Sequence, residues 1–121
     1  MKKLFLALAL VLAPLTCLAE NFLAGESISL SATTASSTAQ FTANNSALYP
    51  DVLVYNSGNT TAFFGCGGSS VTAALPASGA TNATPIAPGA IMVMRKGGAT
   101  YCAAITSTGT TTVYFTAGIG Q

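Results

Sequence analysis

Two cysteines are the residues of this chain best suited to chemistry. Cys66 sits in Gly65-Cys66-Gly67-Gly68 and Cys102 in Thr100-Tyr101-Cys102-Ala103. A cysteine can attack as a thiolate, bind a metal or close a disulfide. Attack needs a base, commonly histidine, and the chain has no histidine. Zinc needs about four protein ligands in a structural site or three in a catalytic one, which two cysteines without histidine do not supply. No metal and no cofactor is therefore expected. Two free buried thiols are one reading. An export signal at the start of the chain favours the other, a Cys66–Cys102 disulfide.

No other group offers catalysis. Gly65-Cys66-Gly67-Gly68 lacks the Lys-Ser/Thr that ends a phosphate-binding loop, and no helical pattern follows it. It reads as a strand end or bulge. Glu20, Glu26 and Asp51 read as solvated carboxylates and not as a fixed acid/base pair. The serines lack the histidine of a triad. No catalytic residue is assigned, and the chain reads as a non-enzyme. Phe63 and Phe64 are adjacent in a strand, so they point to opposite faces, and the outward one is the candidate interaction surface.

The start, MKKLFLALALVLAPLTCLAE, has the order of a bacterial signal peptide. Lys2 and Lys3 precede an apolar run from Leu4 to Leu12, and Cys17-Leu18-Ala19 is a small-x-small cleavage site. Residues 1–19 are therefore expected to form a cleaved signal helix, with cleavage near Ala19. The location expected is periplasmic, extracellular or on a virion. The apolar run is short for a membrane span and the mature portion has no other, so no membrane association is expected of the mature form. The signal also removes two of the four basic residues. Arg95 and Lys96 then face Glu20, Glu26 and Asp51 in a neutral mature chain. Two adjacent cations are too few to displace counterions from a nucleic acid. So low a charge disfavours a free monomer and favours a surface covered by neighbours. Protein partners, through self-association or assembly on a virion or cell surface, are expected.

The elements that must position these residues read as strands. Residues 20–47 form a Ser/Thr/Ala-rich approach, with alternation at Ile28, Leu30 and Ala32 and a second short strand over 39–43. The segment 33–39 is a loop or a flat strand. Residues 48–121 are expected to form the domain proper. Val52–Tyr55 and Thr61–Cys66 flank Asn56-Ser57-Gly58-Asn59 and read as a hairpin. Residues 70–75 read as a short strand and 76–89 as a loop. The runs 90–95, 99–106 and 110–117, separated by tight turns, read as an antiparallel meander. No segment shows helical spacing with caps. The fold expected is all-β, a single antiparallel β-sandwich or small barrel with a C-terminal meander. In it the disulfide ties hairpin to meander.

Residues 50–121 resemble small bacteriophage structural proteins. The residues that carry the resemblance are Val52, Val54, Asn56 and Gly58, then Pro85, Ile86 and Gly89. They continue with Thr100, Tyr101, Ala103, Ala104, Ile105, Thr106, Gly109, Thr110, Tyr114, Thr116, Gly118 and Gly120. The resemblance implies a compact β-sandwich that packs onto a virion as a decoration, neck or tail component, without catalysis. The signal and the disulfide depart from it, since tailed-phage virion proteins assemble in the cytoplasm and need neither. An exported virion or prophage component accommodates both features, as does a bacterial surface module. A periplasmic or extracellular module that binds a glycan or a surface partner is the alternative function.

Overall fold

The computed structural model describes residues 21–42, 48–79 and 81–120. The signal segment and its cleavage site lie outside them, as does Glu20. The described chain is all-β, with eight strands in two antiparallel four-stranded sheets. These are β1 (Leu23–Ala32), β2 (Ser37–Gln40), β3 (Asp51–Asn56), β4 (Ala62–Gly67), β5 (Thr84–Ile86), β6 (Ile91–Arg95), β7 (Tyr101–Thr106) and β8 (Thr111–Ile119). The first sheet runs β1-β8-β3-β6 and the second β2-β7-β4-β5. β1 and β2 come from the 20–47 approach and take edge positions, so the sandwich begins at Leu23 and not at residue 48.

Alternation places the core. Val52, Val54, Val113, Phe115 and Ala117 face inward from the first sheet, and Phe64, Ile86, Cys102 and Ala104 from the second. Phe64 meets Phe115 edge to face, with ring centroids 5.7 Å apart, which joins the two layers at their centre. A smaller cluster lies on the outside of the second sheet. There Val71 and Ala73 pack over Ala103 beside Tyr101 and Ile105. The expected strand over 70–75 is absent. This segment is instead an irregular strap across the sheet, held by the Ala73 amide donating to Ser36 Oγ at 2.8 Å.

The expected hairpin and meander are not formed. β3 lies in the first sheet and β4 in the second, while β6, β7 and β8 alternate between sheets. Successive strands mostly face one another across the core and do not lie side by side. The physical reason is that each run has at least one apolar face, and stacking such faces buries them as well as pairing edges does. Alternation states which face is apolar but not which sheet receives it.

The chain changes sheets after β3 at a buried polar corner. The Asn56 side chain is fully buried. Its Nδ2 donates to the carbonyls of Thr60 (2.8 Å) and Ile86 (3.0 Å), and its Oδ1 accepts from Thr111 Oγ1 (2.6 Å) and the Gly58 amide (3.2 Å). All polar atoms of the carboxamide are satisfied, as burial requires. A Cβ on Gly58 would collide with the Thr111 side chain, so only glycine fits this turn.

Asn56→Ala is expected to lower stability by about 3 kcal/mol, because it leaves buried partners unpaired. Ser57→Ala, on the exposed side of the same turn, is expected to stay within about 0.5 kcal/mol. Urea denaturation checks both; equal small losses would contradict the role given to the corner.

Candidate functional site

Cys66 and Cys102 form a disulfide. The two residues are direct register partners on β4 and β7, so the bridge is a cross-strand staple within one sheet. It does not tie a hairpin to a meander, since neither exists. Cys102 is fully buried and Cys66 packs against the core from a half-buried position. The glycines around Cys66 have a packing cause. Gly65 and Gly67 turn to the outer face of β4, where other segments cross it closely. A Cβ on Gly65 would overlap Asn82, and one on Gly67 would press on Val71 at 3.2 Å. Asn82 adopts the left-handed conformation (φ 54°) that asparagine tolerates. The register of β4 against β7 is continuous from Ala62 to Gly67, so there is no bulge.

A cleft of about 170 Å3 opens at the side of the sandwich, lined by Val52, Gly65, Cys66, Asn82, Thr84, Met94, Arg95 and Lys96. One of its two charged groups, Lys96, has structural work. Lys96 Nζ donates to the carbonyls of Gly97 (3.2 Å) and Ala99 (3.1 Å) and lies 5.6 Å from the centroid of the Phe41 ring. Burial lowers its pKa from the ordinary lysine value, and the charge of Asp51 opposes that shift. Two of the carboxylates read as solvated, Asp51 and Glu26, are also occupied. Asp51 is buried and its Oδ2 accepts from the Gly120 amide at 2.9 Å. Glu26 Oε1 accepts from the amide and hydroxyl of Thr42 at 2.7 and 2.6 Å. The sequence shows these acids as isolated charges; their partners are distant in the chain. Among the described residues no three His, Cys, Asp or Glu side chains converge in the manner of a metal site.

Phe63 and Phe64 separate as their parity requires. Phe64 is fully buried against Phe115, so it belongs to the core and not to a surface. Phe63 is half-buried on the outer face of the second sheet, between its register partners Pro85 and Ile105.

The larger open surface is the outer face of the first sheet. Register sets Leu53 between Thr116 and Val93, and Tyr55 between Tyr114 and Ile91. Ser27 and Ser29 continue these rows on β1. Tyr55 and Tyr114 stack with centroids 6.1 Å apart and planes 19° from parallel. Ile91 is 64 % exposed, Tyr114 41 % and Val93 37 %. The centre of this face is apolar and carries no charge; Arg95 stands at one end of it. The sequence signal was present in DVLVYN and IMVMR, runs apolar at nearly every position and not at alternate ones. A strand apolar on both faces expects cover on both.

Comparison with known protein families, with curated proteins and with solved structures finds no match. No helix among the described residues is long and apolar enough to cross a membrane.

Two outcomes follow. The disulfide closes a sequence separation of 36, and its removal by Cys66→Ser with Cys102→Ser is expected to lower stability by about 4 kcal/mol in the chain-entropy picture. Non-reducing peptide mass spectrometry should find the linked pair, and two alkylatable thiols in native protein would contradict it. Phe64→Ala should destabilise by about 3–5 kcal/mol, and Phe63→Ala by clearly less in the same denaturation assay.

Proposed function

We propose that this protein is a non-enzymatic, exported structural component that acts by assembly. The kind of part envisaged is a phage-like virion decoration, neck or tail protein. The observation that carries the reading is the outer face of the first sheet. Leu53, Tyr55, Ile91, Val93 and Tyr114 form a neutral apolar surface at its centre. The second sheet has part of its outer face covered by the strap over Ala103; the first exposes Ile91, Val93 and Tyr114, with Leu53 and Tyr55 half-buried between them. Contiguous apolar surface on a small domain marks a contact with another macromolecule. Aromatic and aliphatic residues in a region without charge have the composition of an interface centre. The disulfide supports export, because such bonds persist in oxidising compartments. The resemblance of residues 50–121 to bacteriophage structural proteins supports the same reading.

A second reading draws on the Tyr55–Tyr114 pair alone. Two near-parallel rings on an open sheet suit a sugar ring as well as a protein side chain. That module would be a monomer retained by a polysaccharide.

Tyr114→Lys separates the two. The cross-strand aromatic pair contributes about 0.2–1 kcal/mol to stability, so the fold should persist. Sedimentation over a wide concentration range should show the native protein associating, or bound to a particle, and the variant released. A native protein that stays monomeric and is retained on a polysaccharide column, with retention lost in the variant, would favour the glycan module instead.

A further inference from the structure

Among the described residues, the apolar face of the first sheet ends at a strand edge without the usual protection. Sheet edges are commonly blunted by proline, bulges, charges or covering chain. β5 carries Pro85 at the edge of the second sheet. β1 has a register irregularity between Ala24 and Ser27, and its chain runs directly on into the four-residue β2. β6, Ile91-Met92-Val93-Met94-Arg95, has no proline and a continuous register with β3, and its only charge is at its last residue.

The ladder shows which groups this edge presents. Asn56 N–H donates to the Ala90 carbonyl, and Lys96 N–H donates to the Pro50 carbonyl. Bonding alternates along an antiparallel pair, so Met92 and Met94 also direct their backbone groups at β3. Ile91, Val93 and Arg95 turn theirs outward. Their side chains lie on the outer apolar face, while Met92 and Met94 pack against the core.

We infer that β6 is the seam at which two copies of this chain join edge to edge, in antiparallel fashion about a two-fold axis at Val93. This rests on the assembly reading and adds the partner and its geometry. The occupant follows from self-complementarity. With Val93 opposite Val93, Ile91 of one copy meets Arg95 of the other, and all three outward residues exchange N–H and C=O bonds. Met92 falls opposite Met94, so the inward face stays apolar across the seam. The two Arg95 side chains stand about 13 Å apart along the strands, beyond the screening length of about 8 Å at physiological salt. No like charges meet. The product is one eight-stranded sheet whose outer face carries both copies of Tyr55, Tyr114, Ile91 and Val93. A seam of five residues is small, below about 1,200 Å2 in total, which is the range of weak and transient contacts. The dimer therefore dissociates on dilution and gains strength within a larger array.

Two substitutions test this in the mature protein. Val93→Pro removes an N–H that faces away from β3, a position where an edge strand accepts proline, and it blocks the centre of the seam. Dimerisation measured by sedimentation should weaken at least about tenfold, a change of about 1.4 kcal/mol, with circular dichroism unchanged. Val93→Cys places two thiols across the axis, where hydrogen-bonded partners have Cα atoms about 5.5 Å apart, within disulfide range. Mild oxidation should yield a covalent dimer that the unsubstituted protein does not form. If Val93→Pro unfolds, the cross-link decides alone. A native dimer that Val93→Pro leaves intact, or that gives no Val93→Cys cross-link, overturns the seam. Should Tyr114→Lys disperse that same dimer, assembly through the face stands without the edge. A strictly monomeric protein overturns the seam outright, and binding of that monomer to a particle would leave the assembly reading standing.

Discussion

The carboxamide of Asn56 holds together the end of the sandwich at which its two layers meet. It donates to the turn at Thr60 and to β5 at Ile86, and it accepts from β8 at Thr111 and from the Gly58 amide. Those partners lie as far as 55 residues away in sequence. The backbone of the same residue takes part as well, since its carbonyl accepts from the Gly89 amide at 2.8 Å. A polar group so buried is tolerable only when every bond is made. The requirement therefore fixes the register of three strands and the path of the turn at once. An apolar residue would fill the space but would leave the carbonyls of Thr60 and Ile86 without these donors. The corner thus ties β3 to β5 and β8, an arrangement that hydrophobic burial alone leaves open.

The rest of the molecule reads as a small core with covalent reinforcement. Its inward positions include Ala32, Ala62, Ala104 and Ala117, residues that bury little area. One Phe64–Phe115 contact and one disulfide near the middle of the second sheet offset that modest burial. Phe64 and Cys66 share the inward face of β4, so the staple lies beside the principal aromatic contact. The outer side of the staple is closed by chain that crosses Gly65 and Gly67 at close range. Glycines that look like a nucleotide loop in the sequence are instead the floor on which Asn82 and Val71 rest.

Much of this was legible in the residues, and the remainder was hidden for identifiable reasons. The apolar runs at Val52–Tyr55, up to Cys66 and in the last three strands, each bounded by turn residues, placed the elements correctly, because apolar content and turn signals are local properties. Elimination removed the nucleophile and the zinc site, since neither a base nor enough ligands exist, and the export signal favoured the disulfide over two free thiols. Strand pairing was not legible. It depends on contacts such as Thr111 to Asn56, which no window around either residue reveals. The same blindness made Asp51 and Glu26 look solvated, when each accepts from a distant amide. Phe63 was the outward aromatic, as expected from parity, but the broader apolar surface lies on the opposite layer. Its signal was the unbroken apolar character of β3 and β6.

Among the described residues the outer face of the first sheet leaves Ile91, Val93 and Tyr114 exposed, and under the proposed function a neighbour completes it. Lys96, Asp51 and Glu26 are engaged within the fold, while Arg95 stands exposed at the end of the apolar face. Residue-resolved hydrogen exchange, compared between dilute and assembled protein, tests the account most directly. Outward amides at Ile91, Val93 and Arg95 should exchange readily when dilute and become protected on assembly. Those of Met92 and Met94, already bonded to β3, should change little, which gives an odd–even pattern along one strand. Unchanged exchange along β6, with new protection around Phe63 on the opposite layer, would contradict the account.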